Sequence, residues 1–212
     1  MRDVPPPRQS PSAAAPFFRW VFQWPFRFVI LGLYRLGFRA WQLTLLSLLT
    51  SLIVAGLLLT GRRLVPGALL LLAGLLDIFD GAIARQRGEE SKKGALLDAV
   101  IDRVSDGAVF AAIYLAEATI HHDTLNAGLA LGGLVVSLLV SHLRAEAEAA
   151  GVPMTEGSAQ RLERTVGLVI GLMVPGALRP VLAVLAVLGL ITAVQRVSAA
   201  WRGLSTSAAR PS

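Results

Sequence analysis

The sequence predicts an all-α polytopic membrane protein, six transmembrane helices preceded by an N-terminal amphipathic juxtamembrane helix. Three observations carry that expectation. Apolar runs of about 20 residues, each long enough to cross a bilayer, recur along almost the whole chain. Of its 212 residues, 54% are hydrophobic and only 16% charged, whereas soluble domains carry roughly 25% charged residues. The mean hydropathy of +0.62 leaves too little polar surface to cover a water-facing globule. This balance excludes a disordered chain, and the absence of cysteine excludes a disulfide scaffold and a thiolate metal site.

Residues 1–15 are Pro-rich and read as a flexible N-terminus. In residues 16–38, Arg19, Arg27 and Arg35 alternate with Phe17, Phe18, Trp20, Phe22, Trp24, Phe26, Phe28 and Tyr34. Arginines scattered among aromatics suit a helix lying in the headgroup layer and fit neither a membrane crossing nor a cleaved signal peptide. Six spans follow at 41–61, 64–86, 94–118, 125–150, 159–177 and 179–201. Turn-forming or charged residues separate them: Gly61-Arg62-Arg63, Arg87-Gly88-Glu89-Glu90, His121-His122-Asp123, Gly151-Val152-Pro153 and the stretch from Pro175 to Pro180. The six-span domain occupies 39–203, and 204–212 reads as a flexible tail.

Seventeen of the twenty Lys and Arg residues fall on one side of this topology; Arg62, Arg63 and Arg179 fall on the other. By the positive-inside rule the richer side is cytoplasmic and holds both termini, which places the protein in the cytoplasmic (inner) membrane. The net charge of +6 then reflects topology and contact with anionic headgroups or phosphates, with no nucleic-acid partner.

Four aspartates stand out against this background. Asp77 and Asp80 are three apart near the end of span two; Asp98 and Asp102 are four apart near the start of span three. Each pair therefore projects from one face of its helix. A short connection makes the two helices an antiparallel hairpin, so the four carboxylates converge near the cytoplasmic ends. An aspartate at the centre of a membrane helix costs about 2.5–3.5 kcal/mol, and four together also repel one another. One or two hard divalent cations, Mg²⁺ or Mn²⁺, would resolve this. The alternatives are ion pairing with Arg85, Arg103 and Lys93, or a cation pathway as in a transporter. Gly81 and Ala84 leave the backbone beside the first pair open to close approach.

The pattern Asp77-x-x-Asp80-Gly81-x-x-Ala84-Arg85, eight residues, Gly94-x-x-x-Asp98-x-x-x-Asp102 resembles the complete signature of the CDP-alcohol phosphotransferases. That resemblance implies a six-span enzyme, usually a homodimer, that moves a phosphatidyl group from CDP-diacylglycerol to an alcohol and releases CMP. It further implies that Asp77, Asp80, Asp98 and Asp102 hold two metal ions, with Asp102 also the general base. Gly81, Ala84, Arg85 and Gly94 would contact the nucleotide. In the first span the family often shows a Pro-Asn or Pro-Asp pair before a nucleotide-facing threonine; here Trp41-Gln42 precedes Thr44, which keeps the threonine.

The stretches Leu97 to Gly107 and Ser141 to Ala149 resemble the phosphatidylinositol-phosphate synthase branch of that family. Arg144, Arg161, Arg164 and Arg196 match its basic positions, whereas Glu146 departs from them. The resemblance implies that these arginines bind the phosphate of a phosphorylated polyol, most simply inositol phosphate; glycerol 3-phosphate would use the same charges. Arginine forks suit such a phosphate. The competing reading makes them positive-inside anchors or partners of Glu146, Glu148 and Glu163, for instance Arg144 with Glu148 at i, i+4.

Overall fold

The computed structural model describes residues 28–152 and 158–208, with side chains in 28–152 and 162–204. Every regular element among them is helical: α1 (28–35), α2 (Ala40–Leu58), α3 (Leu64–Arg87), α4 (Lys92–Thr119), α5 (Thr124–Ala149), α6 (Ser158–Met173) and α7 (Leu178–Ala208). The chain is a polytopic membrane protein. Four helices, α2, α3, α5 and α7, are long and apolar enough to cross a bilayer. Charged residues at Asp98, Asp102, Arg103 and Asp106 lower the hydropathy of α4, while α6 spans 16 residues, about 24 Å at 1.5 Å per residue.

Two boundaries differ from the sequence expectation. Only 28–35 of the interfacial segment is helical among the described residues, because Gly37 at φ +82° turns the chain into α2; residues 16–27 lie outside the described residues. At the other end, α7 continues through 204–208, part of the expected tail. No Gly or Pro interrupts that stretch, and the next helix breaker is Pro211.

The helices pack as a closed ring in the order α3, α2, α4, α5, α7, α6 and back to α3. Consecutive α3 and α4 are therefore not packing neighbours, which corrects the simple hairpin expected from their short connection. They face one another across the interior, with α2 on one side and α6 beyond. The end of the ring away from the aspartates is filled by an apolar cluster that includes Val54, Phe110, Ile113, Leu168, Leu172 and Leu182. The aspartate end is left open. There, Ile30 of α1 packs with Leu43, Ala82 and Ile83, and Arg87 ties α1 to α3. Its guanidinium sits 4.7 Å from the Tyr34 ring centroid and its Nη2 donates to Tyr34 O at 3.0 Å.

A polar network closes the opposite end. Glu117, 2% exposed, accepts from Arg63 Nη2 at 2.7 Å and from Asn126 Nδ2 at 3.1 Å. Arg179 Nε donates to Asn126 Oδ1 at 3.1 Å and its Nη2 to Asp123 Oδ2 at 2.6 Å. Asp123 also caps α5 by accepting from Asn126 N at 3.0 Å. That backbone donor, with Arg179 beside it, holds the Asp123 carboxyl below the usual carboxylate range. The three arginines of the sparsely charged side thus include two that build this network.

Where α4 crosses α5, a Cβ on Gly133 would stand 2.8 Å from Phe110 Cε1. Phe110 is 1% exposed, so its ring can yield only toward the cavity that it and Gly133 both border. For Gly133→Ala, overpacking of about 1–3 kcal/mol outweighs a helix-propensity gain of roughly 0.5–1 kcal/mol. The variant is expected to unfold at a lower temperature than the wild type in detergent, read by tryptophan fluorescence.

Candidate metal centre and divided cavity

The turn that brings the two aspartate pairs together is short because both helix ends are capped. Gly88, at φ 66°, ends α3 by donating its N–H to Ala84 O and Arg85 O. Three residues later Ser91 starts α4, its Oγ accepting from Gly94 N at 3.1 Å. From opposite sides of the interior, Asp77, Asp98 and Asp102 then converge, and one carboxylate oxygen of each lies within 4.8 Å of the others. All three are half-buried.

Asp80 stands outside this triangle. A three-residue step on a helix rotates it some 60° from Asp77, toward α2, where Thr44 lies against its carboxylate. It is 6% exposed, and its Oδ2 is buried with no hydrogen-bond partner. Leaving a buried carboxylate oxygen unsatisfied is costly, and three more carboxylates nearby add to that cost. This all-oxygen donor set fits a hard divalent cation.

Around the aspartates, the other predicted residues are placed as follows. Arg85 Nη1 lies 3.4 Å from where a Gly81 Cβ would stand, so the missing side chain makes room for the guanidinium. Arg85 Nε is buried without a hydrogen-bond partner. Ala84 is half-buried on the same helix, and Gly94 is exposed on the first turn of α4. Thr44 is buried and donates to Ala40 O at 3.0 Å. Gln42 is occupied in capping α2, its Oε1 accepting from Arg39 N at 2.9 Å.

Of the four arginines, the three whose side chains are described take three different partners. Arg144 turns to the exposed face and pairs with Glu148 at 2.8 Å, as the i, i+4 alternative has it. Arg196 is 3% exposed and its Nη1 donates to Val140 O at 2.5 Å, tying α7 to α5. Arg161 belongs to α6, but its side chain lies outside the described residues. Arg164 reaches across the interior from α6 and pairs with Asp106 of α4, which also accepts from Ser137 Oγ of α5 at 3.4 Å. Long side chains pair internally because a buried guanidinium without an acceptor is unfavourable.

Asp106 had no role in the sequence reading, although it continues the four-residue ridge of Asp98 and Asp102. Its pair with Arg164 lies between two cavities. One, about 250 Å³, is bounded by α2, α3, α4 and α6 and lined by Asp77, Asp106 and the hydroxyls of Ser47, Ser51, Ser105 and Thr165. The other, about 240 Å³, is bounded by α4, α5, α6 and α7 and lined by Arg164, Glu163, Ser137, Thr192 and Gln195 together with apolar residues.

Fold and site together define a class, a helical membrane protein with a carboxylate cation centre at one end of a ring of helices. The chain belongs to the CDP-alcohol phosphatidyltransferase family, whose profile matches residues 38–198, and it is a transferase. Its similar relatives include phosphatidylinositol phosphate synthase of Mycobacterium marinum, 36% identical over 80% of this chain and 76% of the relative. Another is archaetidylinositol phosphate synthase of Methanothermobacter thermautotrophicus, 32% identical over 80% of this chain and 87% of that protein. Among solved structures it resembles Mycobacterium tuberculosis phosphatidylinositol phosphate synthase with CDP-DAG bound, at 34% identity and a TM-score of 0.74, covering 82% of this chain and 92% of that one. The same enzyme has been solved in complex with manganese and citrate, at a TM-score of 0.73 and covering 82% of this chain and 87% of that one.

Proposed function

We propose that this protein transfers the phosphatidyl group of CDP-diacylglycerol to inositol phosphate, forming phosphatidylinositol phosphate and CMP. The observation that carries the reading is the convergence of Asp77, Asp98 and Asp102 beside a divided cavity. Inositol-phosphate synthases among the similar relatives support the choice of acceptor, and the half-buried Arg164 supports an anionic one. In this reading Asp77, Asp80, Asp98 and Asp102 hold two Mg²⁺ or Mn²⁺ ions. Bound there, such ions neutralise the pyrophosphate of the donor and the charge developing on departing CMP.

The protein's own residues supply the rest. Asp102 accepts the proton as the acceptor hydroxyl oxygen bonds to the phosphatidyl phosphorus and the bond to CMP breaks. Arg85, beside the open backbone at Gly81, contacts the nucleotide phosphates, with Thr44, Ala84 and Gly94 completing that side. Arg164 and Arg196, with Arg161 near the start of α6, provide positive charge for the acceptor phosphate; Arg144, paired with Glu148 on the exposed face, adds charge only at longer range. The same reading has six spans, both termini and the reaction site on the cytoplasmic side, and a homodimer.

Cation transport is disfavoured by the apolar cluster of Phe110, Ile113, Leu168 and Leu182, which seals the ring beyond the carboxylates. Carboxylates confined to one end of a ring sealed beyond them do not line a path across it. The test is CMP release by purified protein with CDP-diacylglycerol and inositol phosphate, glycerol 3-phosphate, inositol or serine. Turnover is expected with inositol phosphate, to fall to background in EDTA and to return with Mn²⁺ or Mg²⁺. Turnover with uncharged acceptors alone would overturn the assignment.

A further inference from the structure

We propose that Asp106 is a positioning residue for the phosphorylated acceptor: it holds Arg164 in the partition between the two cavities so that the remaining guanidinium donors face the acceptor phosphate. The inference rests on the acceptor reading given above.

Asp106 lies one helical turn beyond Asp102 on the same face of α4, and Arg164 comes from α6, which is not a packing neighbour of α4. The pair therefore spans the interior by side-chain length alone and links these two helices by charge. Both side chains are 18% exposed, so the charges are largely withdrawn from water and hold each other in place more firmly than a surface pair. Ser137 fixes the carboxylate from a third helix.

An arginine carries five N–H donors in a rigid fork. Asp106 takes up Nη2 only, and Arg164 Nε is buried with no hydrogen-bond partner. A monodentate carboxylate thus orients the fork while leaving donors for an oxyanion, which a bidentate partner would have consumed. Asp106 faces the cavity that contains Asp77, and Arg164 faces the other. An acceptor phosphate on Arg164 is in this way linked through one ion pair to the helix that carries Asp98 and Asp102.

Steady-state kinetics with CDP-diacylglycerol and inositol phosphate, on the full-length wild type, Asp106→Asn, Asp106→Glu, Arg164→Ala and the Asp106→Asn/Arg164→Ala double variant, test this. Asp106→Asn is expected to raise the acceptor KM roughly tenfold, the scale of one charge-assisted hydrogen bond. Its kcat should change by less than about threefold and its KM for CDP-diacylglycerol should stay put, because loss of orientation acts on binding of one substrate. Asp106→Glu should recover part of the effect, and in the Arg164→Ala background Asp106→Asn should add nothing. An unchanged acceptor KM, equal changes for both substrates, or additive effects in the double variant would overturn the proposal while leaving the acceptor reading intact. A wild type that does not turn over inositol phosphate would overturn that reading, and this inference with it.

Discussion

Asp102→Asn is expected to lower kcat for CMP release by about a thousandfold or more, since a positioned general base contributes 10²–10⁴ and the substitution also removes one charge from the cation centre. CDP-diacylglycerol binding should change only a few-fold, because Asp77, Asp80 and Asp98 remain. The comparison with Asp77→Asn separates the two roles. That variant loses a ligand and no base, so raising Mn²⁺ should restore a substantial part of its turnover. In Asp102→Asn higher Mn²⁺ restores occupancy and leaves the proton without an acceptor, so turnover should stay low. Recovery of both variants to the same degree would assign Asp102 to cation binding alone.

Glu117→Ala is expected to cost about 3 kcal/mol of stability, the low end of what breaking a buried ion pair costs, because the Arg63 side chain is 33% exposed and recovers some hydration. Arg63 and Asn126 both lose their acceptor, and the network joining the α2–α3 turn, α4, α5 and the start of α7 comes apart. The aspartate cluster lies at the other end of the ring, so kcat of the folded fraction should remain within twofold of wild type. Thermal unfolding in detergent, followed beside CMP release, measures both. Glu117→Gln keeps the shape and an acceptor for one donor and should lose less. A Glu117→Ala protein with wild-type unfolding would show that the network does not hold the far end together.

These two residues illustrate how unevenly the sequence discloses the molecule. Asp102 is legible because charge is costly in an apolar helix, and four such charges at three- and four-residue spacing require a common explanation. Glu117 carries the same charge in the same helix and has no such pattern; its partners are Arg63 and Asn126, and the long-range members of the network, Arg63 and Arg179, are brought in only by the ring topology. Asp106 was visible as the next step of the Asp98–Asp102 ridge, yet its partner Arg164 lies 58 residues away. Gln42 stands where the family often shows Asn or Asp, and the local geometry commits its amide oxygen to capping α2.

The sequence by itself determined the helical membrane class, the aspartate signature, the family and the likeness to inositol-phosphate synthases, because hydropathy, helical period and motif spacing are local properties of the chain. Which helices are neighbours was left to tertiary structure. The short α3–α4 connection suggested a packed hairpin, whereas the fold separates the two helices across a cavity that a hairpin could not contain. The resemblance assigned the arginines one phosphate pocket; in the structure Arg144 turns outward, Arg196 ties α5 to α7 and Arg164 meets Asp106. A buried guanidinium takes the acceptor nearest in space, and nearness in space between distant segments is decided by packing.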